Sequence, residues 1–376
     1  MAFAIILVLA AIGWGLYWLI ALRHFETTDD AYVAGDVLQI TNAVTGTIAA
    51  VHADDTQSVR AGDVLVELDP ADERIAVAAA EAELAHTVRD VAALFAQASE
   101  RRALLAEREA ALQRSSQDAA RRRPLVGDGA VSSEDLAHAD DAVAELGASV
   151  AAARASVDTL TAQIGGTTIP THPRVLAAAA NVRSAHLALR RTSIAAPVAG
   201  VIARRSAQIG QRIAAGTPLM ALVPLESVWV DANFKEVQLH RIRIGQKVSI
   251  RTDVYGGDVE FHGRVAGLAA GSGSAFALLP PQNASGNWIK IVQRVPVRIL
   301  LDSSEIRRHP LRIGLSAIVR VDVTDQSGPL VATDVRGGAR PLALDLSGDP
   351  AVEARIREIV DAGSRAGAAG VERPRP

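Results

Sequence analysis

Hydrophobic residues along this chain follow three rhythms: one unbroken run, alternation by two, and recurrence by seven. The run is residues 1–22 (MAFAIILVLAAIGWGLYWLIAL), which carry no charge. It is long enough to cross ~30 Å of hydrocarbon. Trp14, Tyr17 and Trp18 gather toward its C-terminal end, where amphipathic rings favour a membrane interface. A cleavable signal peptide is the rival reading. The run exceeds a signal peptide's apolar region, and no clear small-x-small site precedes Arg23, so an uncleaved transmembrane anchor is expected.

Alternation by two marks strands, and one set of strands is written twice. Val44 to Pro70 (VTGTIAAVHADDTQSVRAGDVLVELDP) aligns without a gap to Val198 to Pro224 (VAGVIARRSAQIGQRIAAGTPLMALVP), at a constant offset of 154. The shared positions are glycines that turn the chain and aliphatics that face a core: Gly46/Gly200, Ile48/Ile202, Gly62/Gly216, Leu65/Leu219 and Leu68/Leu222. Four short strands cannot bury a core alone, so the two halves are expected to pack as a pseudo-twofold sandwich.

Recurrence by seven fills the interval between them. From Ala71 to Arg122 there is no Gly or Pro, and Val77, Leu84, Val91, Ala98, Leu105 and Leu112 repeat every heptad. That is a coiled-coil seam, and the helix would reach roughly 78 Å. A return arm carries Leu136, Val143, Val150, Val157 and Ile164 on one seam position and Ala139, Leu146, Ala153 and Leu160 on the other. Between the arms, Pro124, Gly127 and Gly129 stop one helix, and Ser132 or Ser133 caps the next, with Glu134 and Asp135 in its first turn. The stretch GGTTIPTHP (165–173) reads either as a joint or as a kink in a continuous arm, because Pro170 and Pro173 cannot sit inside a regular helix.

After Pro224 the period of two returns in VWVDANF (228–234), VSIRTDV (248–254), VEFHGRV (259–265), NWIKIV (287–292), VPVRILL (295–301) and SAIVRVDV (316–323). Glycine turns at this spacing suggest a small antiparallel barrel. No residue between Arg264 and Lys290 is charged. Phe276, Leu278 and Leu279 there either fold back on the barrel or offer an apolar contact to a membrane pump or amphiphilic drug. From Gln326 the chain turns rich in Ala, Gly, Arg and Pro, with one short helix expected over 351–362 and disorder elsewhere.

Composition narrows the chemistry. A net charge of −3, dispersed cations and 3% aromatics leave no nucleic-acid footprint. With no cysteine there are no disulfides, thiolate metal sites or thiol nucleophiles. Half-sandwiches of this pattern also occur in lipoyl and biotinyl carriers, which need a lysine at a hairpin tip. The chain's lysines are Lys235, Lys247 and Lys290, outside both halves, so no carried cofactor is expected. The nine histidines show no HExxH or other close ligand pairing, and His138 and His186 read as solvated helix positions. Neither an enzyme site, nor a metal, nor a cofactor is expected.

Specific strings add a resemblance. TTDDAYV (27–33), PLMALVPLESVWVDANFKE (218–236), GSGSAFALLPPQNASGNWIKIVQRVPVRI (271–299) and HPLRIGLS (309–316) closely resemble the EmrA-type membrane fusion proteins of the HlyD family. The resemblance spans roughly residues 1–325 and omits the tail. It implies a periplasmic adaptor, anchored once in the inner membrane of a Gram-negative bacterium, with several copies around a shared axis. Its implied partners are an inner-membrane major-facilitator drug transporter and a TolC-like outer-membrane channel. Many family hairpins carry Arg-x3-Leu-x6-Ser at the tip to engage that channel; Arg121, Leu125 and Ser132 match the spacing. A type I secretion adaptor serving an ABC exporter is the alternative.

The expected fold class is therefore α+β. It runs as an N-terminal transmembrane helix (1–22), a linker and first β segment (23–39), and lipoyl-like half 1 (40–70). An α-helical coiled-coil hairpin (71–192, tip about 122–134) leads into half 2 (193–224). A small antiparallel β-barrel (225–325) and a mostly disordered tail (326–376) complete it.

Overall fold

The computed structural model describes residues 24–276, 292–331 and 349–369, which form one β unit and one helical unit. The expected anchor at 1–22 lies outside the described residues. Among the described residues no helix is long and apolar enough to cross a membrane.

Strand β1 (Phe25–Ala34) comes first, followed by the short strands of the first half: β2 (Leu38–Thr41), β3 (Gly46–Val51), β4 (Ser58–Val59) and β5 (Val64–Leu68). Helices α1 (Ala71–Gly127), α2 (Ser133–Ile164) and α3 (Pro173–Arg190) then make the insert. The second half repeats the first as β6 (Ser193–Ala195), β7 (Gly200–Arg205), β8 (Arg212–Ile213) and β9 (Pro218–Val223).

These eight strands form two sheets, ordered β2-β9-β7-β4 and β6-β5-β3-β8. Adding 154 to every residue number carries the first half's strands onto the second's, and the same operation turns one sheet order into the other. Each sheet therefore mixes the halves, so neither half has a sheet without its twin. The core obeys the same operation: Ile40/Ile194, Ile48/Ile202, Val59/Ile213, Leu65/Leu219, Val66/Met220 and Leu68/Leu222 are buried together. Backbone bonds repeat as well, with Gly62 N–H donating to Ala196 O and Gly216 N–H to Asn42 O, both at 2.8 Å. The pseudo-twofold thus extends to paired hydrogen bonds. A buried polar departure from it is Asn42, which stands where the second half has Ala196; the Asn42 Nδ2 donates to Val44 O and Ala214 O at 2.7 and 2.8 Å.

The barrel adds β10 (Trp229–Lys235), β11 (Lys247–Thr252), β12 (Glu260–Leu268), β13 (Arg294–Leu301), the short helix α4 (Ser303–Arg308) and β14 (Ser316–Asp322). It is closed, in the order β1-β10-β13-β12-β11-β14. Phe234, Phe261, Ile250, Ile299 and Val319 are fully buried within it. Its sixth strand is β1, which precedes the first sandwich half. Residues 287–291 of the segment NWIKIV lie outside the described residues.

In the helical unit α1 is 57 residues long, about 86 Å. It runs through Pro124 and ends at Gly127, within the expected stop signals Pro124, Gly127 and Gly129. Pro124 sits in the last turn and costs one hydrogen bond from an exposed carbonyl, which water can satisfy. At 165–173 the return arm is jointed: Gly165 and Gly166 take φ of +61° and +70°, a 3-10 turn covers Ile169–Thr171, and the His172 side chain caps α3. Across the distal arms Glu109 meets Arg154 at 2.7 Å and Arg123 meets Asp140 at 2.8 Å. Two heptads up α1 correspond to two heptads down α2, a single antiparallel register. Seam residues such as Leu105, Leu112, Val143 and Leu146 are only half-buried there, because two helices cover a seam from two sides.

Nearer the sandwich connections the seam is sealed by a third helix, α5 (Pro350–Ala369). Leu84, Val88 and Val91 of α1, Val175 and Val182 of α3, and Val352, Ile356 and Val360 of α5 form one core. Arg183 pairs with Glu353 at 2.5 Å, and Arg355 with Glu81 at 2.9 Å. The tail reading named a short helix over 351–362; the structure extends it at both ends and gives it a partner. Residues 332–348 and 370–376 of that tail lie outside the described residues.

Candidate functional site: the hairpin tip

Arg121, Leu125 and Ser132 all lie where α1 turns into α2. The turn is built from standard parts. Gly129 takes φ +70° two positions past the end of α1, just after the capping residue Asp128. Its N–H donates to Val126 O, and Ala130 N–H donates to Leu125 O, both at 3.1 Å. This paired arrangement is a Schellman closure, which needs a residue tolerant of left-handed backbone. Ser132 then begins α2: its Oγ accepts from Asp135 N–H at 3.0 Å and donates to the Asp135 carboxylate at 2.6 Å. That contact holds the Asp135 carboxyl below its usual range, with backbone and Arg122 contributions behind it.

The side chains left over face solvent. Leu125 is 41% exposed at a helix end closed by its own backbone. Arg121 is exposed beside Asp118, 3.2 Å away on the same helix, while Arg122 takes the other Asp118 oxygen at 2.9 Å. Arg123 crosses to Asp140 and ties the arms together. The tip therefore presents the Leu125 side chain and the Arg121 guanidinium on a fixed turn.

Of the loop residues, Phe276 is 73% exposed, whereas Leu278 and Leu279 lie outside the described residues. The two helix histidines differ. His138 is largely exposed, as expected, but His186 is half-buried against α1, with Nε2 3.5 Å from Glu81. Its spacing on α3 gave no sign of this, since the neighbour comes from another helix. The helix α5 was likewise missed as a packing element.

Comparison with known proteins places these parts together. Residues 71–192 match a family model described as the EMRA alpha-helical hairpin domain, and residues 227–322 match the AAEA-like beta-barrel domain. The multidrug export protein EmrA of Escherichia coli (strain K12) is 45% identical, over 93% of this chain and 89% of its own length. The fatty acid resistance protein FarA of Neisseria gonorrhoeae is 48% identical, over 84% of this chain and 79% of its own. A solved structure of the periplasmic adaptor protein EmrA covers 80% of this chain and 98% of its own, at 19% identity and a TM-score of 0.40.

A split sandwich carrying a helical hairpin between its halves, followed by a closed barrel, is the build of a membrane fusion protein. Within that class, this chain belongs to the EmrA family of multidrug-export proteins.

Proposed function

We propose that this chain is the periplasmic adaptor of a tripartite drug exporter, joining an inner-membrane major-facilitator pump to a TolC-like outer-membrane channel. It works without catalysis: the pump supplies energy, and the adaptor bridges a gap and lines a conduit. Residues 1–22 anchor it beside the pump, which raises effective concentration so that individual contacts can be weak. Several copies surround a shared axis. The observation that carries the reading is the tip, where Arg121 and Leu125 stand exposed on a turn closed by Gly129 and capped by Ser132. Family membership supports the same role.

Phe276, Leu278 and Leu279 are proposed as the pump or drug contact, supported by the exposure of Phe276. A photocrosslinker at Phe276 should capture the pump or an amphiphilic drug; labelling confined to the chain's own barrel counts against that assignment. The function as a whole is tested by deletion. Cells lacking the chain should gain sensitivity to uncouplers or amphiphilic antibiotics, restored by the full-length gene, and unchanged sensitivity would refute it.

A further inference from the structure

Folding alone does not account for one pair of charges on the barrel. Lys247 of β11 and Arg264 of β12 are direct cross-strand partners, both exposed on the outer wall. Like charges set opposite one another weaken an antiparallel ladder. Four residues along the same face the ladder obeys that rule, with Arg251 opposite Glu260 and 3.4 Å away. Asp322, on the neighbouring strand β14, is taken up by Thr324, whose N–H and Oγ1 donate to it at 3.0 and 2.6 Å. A cleft of about 400 Å³ opens beside the pair, lined by Lys247, His262, Arg264, Leu300 and Asp302 among others.

The pair lies at the end of the barrel where β1 begins. Phe25 pairs with Asp322, and Val321 beside it pairs with Val248, next to Lys247. Phe25 follows the apolar run 1–22 by three residues, a reach of at most about 11 Å. The connection from Lys235 to Lys247 is at this end and holds four cations (Lys235, Arg241, Arg243, Lys247) against Glu236, a balance of +3. At the opposite end, residues 252–260 and 302–315 hold five carboxylates and three arginines, a balance of −2. The carboxylates of β1 do not cancel the cationic rim, since Glu26 is engaged by Arg241 and Gln238 and Asp30 by Arg294. Apolar side chains accompany the cations. Val237 is 69% exposed, and the exposed Leu330 and Val331 follow Pro329, whose carbonyl accepts from Ile244 N–H at 3.1 Å.

We propose that this rim is a docking surface for anionic phospholipid, with Lys247 and Arg264 gripping a headgroup phosphate and Val237, Leu330 and Val331 entering the interface below it. This rests on the reading that residues 1–22 span the membrane. Cations interleaved with apolar side chains, held where a chain leaves the bilayer, suit an acidic lipid surface on both counts. The headgroup phosphate relieves the repulsion between Lys247 and Arg264. A barrel held at its rim keeps a fixed tilt to the membrane, which a linker of a few residues cannot impose.

The chain has no cysteine, so Val237→Cys can carry an environment-sensitive dye at a single site. The labelled full-length chain is placed in nanodiscs of phosphatidylcholine alone, or of phosphatidylcholine and phosphatidylglycerol in equal parts. Both sets carry bromine on the acyl chains near the headgroups. The dye should be quenched about threefold more in discs that hold phosphatidylglycerol. Arg264→Glu should return quenching to the phosphatidylcholine level, while its carboxylate pairs with Lys247 and keeps the unfolding midpoint at or above the parent's. Inorganic phosphate exchanged for chloride at equal ionic strength should leave the quenching unchanged. Release by phosphate would mark a site for the free anion and overturn the lipid assignment. Equal quenching in the two discs, or none in either, overturns it as well and leaves the rim to a protein partner, with the anchor standing. A chain that enters neither disc overturns the anchor and the lipid site together.

Discussion

Thr56 and Gly210 occupy the same place in the two halves of the sandwich, and both hold left-handed backbone, with φ of +69° and +82°. Their N–H groups donate to Ile202 O and Ile48 O, each at 2.8 Å, so each half's loop is tied to the other half's strand. Thr56 is the only non-glycine residue at positive φ among the described residues. A β-branched residue there costs roughly 1–2 kcal/mol. Thr56→Gly should therefore stabilise the chain by up to about 1 kcal/mol after the added freedom of the unfolded state is counted. A denaturant titration checks it, and a lower midpoint would contradict the equivalence.

The close approach of α5 to α1 depends on Gly363, where an added Cβ would lie 2.6 Å from Val88 Cγ1. Val88 is buried and β-branched, so it cannot swing aside. Gly363→Leu should loosen α5 and destabilise the helical unit by roughly 1–3 kcal/mol. Hydrogen exchange should show lost protection over 350–365 with the barrel unchanged. Protection that stays intact would mean that α5 packs otherwise.

The same helix gives a pH dependence. Arg355, bonded to Glu81, holds the Glu81 carboxyl below its ordinary range, and Arg183 does the same for Glu353. A carboxyl depressed in the folded state contributes stability above its unfolded pKa, about 4.3 for Glu. That contribution is lost as pH falls through the lower folded value. Unfolding midpoints should therefore drop below about pH 4.3, and less steeply in a Glu81→Gln, Glu353→Gln double variant. Parallel curves would remove the two ion pairs as the cause.

Much of this fold could be read from residue spacing, and the gaps have physical causes. Both sandwich halves, the seam residues and the Ser132 cap follow from short-range pattern, which a linear sequence displays directly. Strand β1 was legible as β but not as the closing stave of the barrel. Its inward residues Thr28, Ala31 and Val33 break the two-residue rhythm at a bulge between Thr28 and Ala31. For α5, Val352, Ile356 and Val360 do repeat at helical spacing. They sit in a tail whose Ala, Gly, Arg and Pro content points to disorder, and the α1–α3 groove they fill is set by residues about 170 or more positions earlier. His186 was misread for the same reason: its neighbour Glu81 is close only in space.

At the tip, side chains and scaffold can be separated. Arg121→Asp or Leu125→Asp should abolish drug resistance while leaving the unfolding free energy within about 0.5 kcal/mol of the parent, because both side chains are exposed. Ser132→Ala should instead cost about 1 kcal/mol through the lost cap, with a smaller effect on resistance. Resistance that survives both aspartate variants would remove these residues from the docking surface.

The central claim is that the capped turn between α1 and α2 touches an outer-membrane channel. A photoactivatable amino acid at Leu125 of the full-length chain, irradiated in intact cells, tests it most directly. The account predicts a covalent adduct whose second component is an outer-membrane channel protein, lost when Arg121→Asp is added. Adducts only with other copies of this chain, or with inner-membrane proteins, would contradict it.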